Sequence, residues 1–262
     1  MKFQVLMATM DCEIKDIRAL IRNGHLDKTN ILMINQCDVE CEEILMKDGY
    51  FIKMLSCKER GLSRSRNMAL RNAEAEICLI ADDDMLYEED VEQRIVKAFM
   101  ENPNYDLIAF YVERSKSFNE KKIGTKHEIS KRDSLGLMSV QIAFRKDAII
   151  NNGITFDENF GAGSGKYICG EENIFLFDCM EKGLKILYVP ILIASTQENE
   201  STWFQGYNEL YFISKGALFK RLFKGNAWMM VLIFAILKYR IYKEDATFFE
   251  ACKAMRKGCR DL

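Results

Sequence analysis

The chain has 262 residues, 48% of them hydrophobic, enough for one large α/β domain or two small ones with a packed core. Its net charge of −2 hides an asymmetry: residues 215–262 carry 11 Lys/Arg and 4 Asp/Glu, net +7, and residues 1–214 carry 26 and 35, net −9. No nucleic-acid partner is expected; nine Cys scattered without a C-x2-C pair, beside only two His, suggest neither a disulfide framework nor a structural zinc site and point to reduced thiols in a cytoplasmic protein.

Met1-Lys2-Phe3-Gln4-Val5 runs straight into an apolar strand over residues 3–10, without the layout of a signal peptide. Ile14, Ile17, Leu20 and Ile21 recur at helical spacing, with Gly24 placed as a C-terminal cap. Residues 31–35 form a second strand, residues 44–46 and 51–55 flank an Asp48-Gly49 turn, a helix spans 64–75, and 77–81 is the next strand. Alternation of this kind predicts a parallel sheet with helices on both faces. Glu88-Glu89-Asp90 suits a helix N-terminus, Val91, Ile95, Ala98 and Phe99 form that helix's apolar stripe, and Pro103 lies beyond its end. Strands are expected over 107–112 and 139–144, separated by a polar loop from 115 to 134. Residues 160–166 form a glycine-rich segment that reads either as a lid or as a plain surface loop. A helix then opens at Gly170-Glu171-Glu172-Asn173 and ends at Gly183, and residues 185–189 make a final strand stopped by Pro190.

Beyond residue 206 aromatic and aliphatic residues interleave with Lys215, Lys220, Arg221 and Lys224, and an apolar run follows from 227 to 237. That run is well short of the ~20 residues a spanning helix needs, so the segment is expected to lie on a membrane surface or to pack on the core with a solvated basic face. The expected organisation is a catalytic domain over 1–206, its halves at about 1–113 and 135–206, and a helical, basic extension over 207–262.

Open α/β sheets bind ligands beyond the carboxyl ends of their strands, where Thr9, Asp38 and Asp82-Asp83-Asp84 would converge. Strand side chains alternate, so Asp82 and Asp84 are expected on one face and Asp83 on the other. Like charges so close ask for a cation, although an acidic solvated loop is the plainer reading. Glu171 and Glu172 have two readings as well: carboxylates favoured by a helix N-terminus, or catalytic groups, of which at most one can face a common site because adjacent helical residues point ~100° apart.

Four motifs in order resemble family 2 glycosyltransferases, enzymes of the GT-A fold that use nucleotide sugars, of the type that builds bacterial polysaccharides. They are Gly61-x-Ser63-x-Ser65-Arg66-Asn67, Asp82-Asp83-Asp84, Phe156-Asp157-Glu158 and Gly170-Glu171-Glu172, and the likeness covers most of residues 3–205. The resemblance implies a Rossmann-like, mostly parallel sheet. It implies that Asp82 and Asp84 hold Mn2+ or Mg2+ against the donor diphosphate, that Thr9, Asp38, Ser63, Arg66, Asn67, Asp82 and Asp83 line the nucleotide sugar, and that Glu172 is the base, with Glu171 its neighbouring candidate. Glu172 stands where the family has Asp, and Thr196-Gln197 where it often has His, before Ser201-Thr202. The implied reaction is inverting transfer from a nucleotide diphosphate donor, UDP-linked, to a glycan or lipid-linked acceptor at the inner face of the plasma membrane, by a monomer or homodimer.

Two other functions compete. A nucleotidyltransferase would carry a glycine-rich phosphate loop near the first strand with a following Lys or Arg, and Ala8-Thr9-Met10-Asp11 has neither. A catalytically silent nucleotide- or glycan-binding module would not need Asp82, Asp84 and Glu172.

Overall fold

The computed structural model describes residues 1–13, 16–17, 21, 25–47, 49–113, 124–196 and 206–262. The helix expected around Ile14 and Leu20, with its Gly24 cap, lies largely outside the described residues, as do Asp48, Gln197 and Ser201-Thr202; Ile17 and Ile21 are described and buried.

The chain falls into two compact units: Met1–Arg60, Arg64–Thr155 and Asp178–Asn199 form the first, and Gly61–Ser63, Phe156–Phe177 and Glu200–Leu262 the second. These lines differ from a simple cut at residue 206, because residues 156–177 group with the C-terminal helices.

Ten strands make the sheet of the first unit: β1 Phe3–Met10, β2 Ile31–Gln36, β3 Cys41–Lys47, β4 Tyr50–Cys57, β5 Ile77–Asp82, β6 Met85–Tyr87, β7 Leu107–Glu113, β8 His127–Glu128, β9 Ile142–Arg145 and β10 Ile186–Thr196. Their order is β3-β4-β2-β1-β5-β9-β7-β10-β6, with β8 also on β10. β1, β2, β4 and β5 pair in parallel, as do β7 and β10. β9 lies antiparallel between β5 and β7. The parallel strands are continuous apolar runs because both faces are covered: every residue of β2 is buried, and so are Ile77 to Ala81 of β5.

Helix α1 spans Leu62–Asn72, starting two residues before its expected position, and α2 spans Val91–Glu101. The α2 stripe is the expected one, since Val91, Ile95, Ala98 and Phe99 are the residues it buries in the main core. Short helices α3 Lys131–Ser134 and α4 Lys146–Asn151 flank β9 in sequence, and α5 is Glu171–Glu181.

Two expectations are corrected here. Pro190 does not stop the last strand: β10 runs through it, and the register to β7 shifts between Val189 and Leu192 and again before Ala194. A bulge accommodates a residue that has no N–H to donate, which is how proline survives inside a sheet. The strand expected over 139–144 begins instead as a 3-10 turn, Ser139–Gln141, and becomes β9 only at Ile142.

In the second unit α6 Glu209–Phe223, α7 Ala227–Tyr242 and α8 Phe248–Arg260 enclose a small core that includes Phe212, Phe219, Val231, Ala235, Tyr242, Ala251 and Met255. α6 and α8 touch backbone to backbone: a Cβ on Gly216 would stand 1.8 Å from the Met255 carbonyl oxygen, and one on Gly258 would stand 1.9 Å from that of Ile213. Only glycine permits that approach. α8 opens with a capping box in which the Thr247 hydroxyl accepts from the Glu250 amide and the Glu250 carboxylate accepts from the Thr247 amide at 2.9 Å. Lys224, at φ 50°, breaks the path from α6 to α7, with one 3-10 turn over Lys224–Asn226.

Candidate active site

The first unit gathers its polar groups at the carboxyl ends of β1, β2, β4 and β5. β5 ends at Asp82, and Asp83 and Asp84 form the turn into β6. The expected alternation therefore fails at Asp84: a strand periodicity cannot extend through a turn, so the three carboxylates are set by turn geometry and by their partners instead. Met85 and Tyr87 of β6 are buried beneath that turn.

Each of the first two carboxylates is held. Arg66, 5% exposed on α1, donates from Nη2 to Asp82 Oδ1 at 3.2 Å and to Ser139 Oγ at 2.8 Å. Thr9, in β1, donates its hydroxyl to Asp83 Oδ2. The pKa of Asp84 is raised, first by withdrawal from water and then by the charges of Asp82 and Asp83. Among the described residues no three His, Cys, Asp or Glu side chains gather as a ready-made metal cage. A pair of aspartates with room for outside ligands nonetheless suits Mg2+ or Mn2+, hard cations that are held by one or two carboxylates and complete their shell with phosphate oxygens and water. The like-charge crowding at Asp84 is what a divalent cation would relieve.

Asp38, just beyond β2, is almost fully exposed and pairs with Arg60 Nη2 at 2.9 Å. Arg60 also reaches Asp11 at 3.5 Å and donates to the Gln36 carbonyl, so one guanidinium ties together the ends of β1 and β2. The hydrogen bond that Arg60 donates to Asp38, with the charge of Asp11, raises the Arg60 pKa against the opposing loss of water. Any nucleotide contact at Asp38 has to be made beside that pair. Asn67 is buried at 3% exposure in α1, behind the strand ends.

The second unit holds the other candidates. Ser63 is buried, and its hydroxyl donates to the Phe160 carbonyl at 2.6 Å. Gly161, at φ 104°, leaves no space for a side chain, since a Cβ there would meet Ser63 Oγ at 3.0 Å and Glu171 Cδ at 3.1 Å. Ser63, Gly161 and Glu171 are thus brought together, with Glu171 only 6% exposed. Glu172 is half-buried at the start of α5. The glycine-rich segment is tied down by its own hydrogen bonds: Leu62 N–H to the Ala162 carbonyl, Gly161 N–H to the Tyr167 carbonyl and Ser164 Oγ to the Tyr167 carbonyl, each at 2.9 Å. That favours the loop reading over the lid. The Phe156-Asp157-Glu158 motif is a folding element here: Phe156 stacks on Phe175 at 4.4 Å, Asp157 accepts from Asn159, and Arg221 pairs with Asp157 at 3.4 Å.

Three further residues belong with these, Arg60, Ser139 and Lys215, of which the sequence singles out only Lys215, as one cation of the basic extension. The Lys215 ammonium lies 5.5 Å from the Tyr211 ring. Burial works against its charge, but Cys169, Tyr211, Glu172 and Glu171 outweigh that effect and raise its pKa. The one sequence signal was the i,i+4 spacing of Tyr211 and Lys215 on a helix.

A family model described as glycosyl transferase family 2 matches residues 16–167. The chain is 28% identical over 158 residues to the "Uncharacterized glycosyltransferase YfnE" of Bacillus subtilis (strain 168), a match that covers 50% of this chain and 38% of that relative. Among solved structures, S. aureus TarS 1-349 in complex with UDP-GlcNAc superposes with a TM-score of 0.63 at 14% identity, over 94% of this chain and 74% of that one. The mannosyltransferase PcManGT of Pyrobaculum calidifontis, in complex with GDP-Man and Mn2+, gives a TM-score of 0.55 at 13% identity, over 98% and 73%. The shared fold is GT-A, a mixed α/β architecture around a mostly parallel sheet.

Proposed function

Because the chain belongs to glycosyl transferase family 2, we propose that it transfers a sugar from a nucleotide diphosphate donor, UDP-linked, to a hydroxyl of a glycan or lipid-linked acceptor, with inversion at the anomeric carbon. The construction of a cell-surface polysaccharide is the setting for such chemistry. The observation that carries this reading is the set of carboxylates at the end of β5, held by Arg66 and Thr9 from neighbouring elements.

Asp82 and Asp84 would hold Mn2+ or Mg2+, which when bound neutralises charge on the departing diphosphate. Arg66 orients Asp82 through a charge-assisted hydrogen bond from its guanidinium. Thr9 fixes Asp83 by donating to it. In the second unit Glu172, more open to solvent than Glu171, accepts the proton of the acceptor hydroxyl. The acceptor oxygen attacks the anomeric carbon from the side opposite the leaving group, the bond from that carbon to the diphosphate oxygen breaks, and its electron pair leaves with the nucleotide. The product then has the opposite anomeric configuration to the donor.

The test is a panel of UDP- and GDP-sugars with purified protein and Mn2+, followed by release of the nucleoside diphosphate. Metal-dependent release, with NMR of the product showing an inverted anomeric centre, supports the reading. Release of pyrophosphate from a nucleoside triphosphate and a sugar phosphate would overturn it.

A further inference from the structure

α7 presents a contradiction that the small helical core does not resolve. Its sequence from Ala227 to Leu237 is apolar on every side, a composition found in helices that are buried or in contact with lipid. Yet it buries only Ala227, Val231, Ala235 and Tyr242, one narrow stripe. The opposite side carries Met229, Leu232, Ile233 and Ile236 at helical spacing, flanked by Trp228 and Leu237, all exposed; Trp228, Ile236 and Leu237 are 66, 64 and 73% accessible. The helical stretch Glu209–Tyr242 is long and apolar enough by composition to cross a bilayer, and only 22% of its most apolar window is buried. That is a departure from the shorter run read in the sequence.

We propose that the outward face of α7 docks the protein on an anionic membrane surface, the helix lying in the interface rather than crossing it. Three observations favour this arrangement. First, α7 has 16 residues, about 24 Å at 1.5 Å per residue, too short for a hydrocarbon core of ~30 Å. α6 does not extend it, since the path breaks at Lys224 and α6 is committed to α8 by the glycine contact. Second, the face ends as interfacial helices do: Trp228 at one end and Arg240 at the other, with exposed Tyr239 and Lys238 in the same last turn. Third, the charge matches a lipid leaflet better than a second copy of this chain. Lys224 precedes the face and Arg240 lies within its last turn, so two copies paired along α7 in either direction would bring cations together. Of the acids that follow, Glu244 is engaged by Lys243 at 3.2 Å. The inference stands on the helix alone and does not depend on the reaction.

The test uses the full chain with vesicles of phosphatidylglycerol and phosphatidylcholine, and with phosphatidylcholine alone. Co-sedimentation with the anionic vesicles at low salt, weakened at high salt by screening, is expected. In a Trp203→Phe background the emission of Trp228 should shift to the blue and be quenched by brominated acyl chains. Reversing Lys238 and Arg240 to Glu should weaken binding roughly tenfold or more. Ile236→Asp with Leu237→Asp should abolish it, with circular dichroism unchanged because both side chains already face solvent. Absence of wild-type binding would overturn the proposal, as would binding that survives the Asp pair. A lipid-free dimer in analytical ultracentrifugation that the Asp pair dissociates would assign the face to a second copy instead. Should the Asp pair misfold, the Trp228 quenching decides alone.

Discussion

Arg66 Nη2 stands 3.2 Å from Asp82 Oδ1 and, through the same nitrogen, 2.8 Å from Ser139 Oγ. Arg66 is buried while the Asp82 side chain is 38% exposed, so the guanidinium backs a carboxylate whose other side opens to solvent. Arg66→Met keeps the stem and removes the charge-assisted bonds. It is expected to lower stability by ~1.5–3 kcal/mol, the range for hydrogen bonds to charged groups, and to weaken donor binding. Thermal denaturation and calorimetric titration with UDP and Mn2+ measure both; a variant with native donor affinity would show that Asp82 needs no support from behind.

Asp84→Asn removes a charge from a carboxylate crowded by Asp82 and Asp83. The fold should persist, since Asp84 lies in the turn between β5 and β6, while Mn2+-dependent binding of the nucleoside diphosphate disappears. Equal binding of UDP by variant and wild type at saturating Mn2+ would remove Asp84 from the ligand set.

The two glutamates of α5 separate by variant. Glu172→Gln should keep donor affinity and lose transfer on the order of 10²-fold or more, the usual weight of a positioned base. Glu171→Gln should lose less transfer and more stability, because that carboxylate is buried against Gly161 and Ser63. Single-turnover rates and melting temperatures for both variants check this, and reversed effects would move the base to Glu171.

The cap of α8 supplies a pH dependence. The Glu250 carboxylate is held below its usual value by the Thr247 hydroxyl first and the Thr247 amide second. A folded-state pKa lower than the unfolded one means a contribution present above the unfolded pKa and lost as pH falls through the folded one. Melting temperature should therefore decline on the acid side, as pH drops from about 5 towards 3, and the same should hold for Asp133 in the Ser130 capping box of α3. Glu250→Gln should flatten that acid limb; an unchanged profile would assign the acid sensitivity elsewhere.

Much of this molecule is legible in its sequence, for reasons that differ by element. The long parallel strands are readable because burial on both faces makes them unbroken apolar runs, and α2 because its stripe repeats at 3.6 residues. β6 and β8, with three and two residues, are too short to show a period. Pro190 misleads because its effect depends on whether a bulge is available, which β7 decides rather than the local sequence. At the site the residue types are evident, but Asp83 and Asp84 lie in a turn whose geometry no alternation rule describes. Arg60 and Ser139 acquire their roles from residues 22 or more positions away in the chain, Asp38 and Arg66, and Lys215 from Glu172 on another element as well as from Tyr211 on its own helix.

The antiparallel strand β9 bears on how such proteins can be recombined. Among the described strands β5 and β7 are joined through β9, supplied by residues 142–145, and the turn that introduces β9 delivers Ser139 to Arg66. A fragment ending near residue 113 would carry Asp38, Asp82, Asp83 and Asp84 yet leave β5 with an open edge and β7 without either of its partners, β9 and β10, exposed to intermolecular pairing. That half is therefore not a transferable module. A chimera that exchanges it between relatives has to keep β9 and its entry turn with the incoming half, which places the workable crossover after residue 145 rather than in the loop that precedes it.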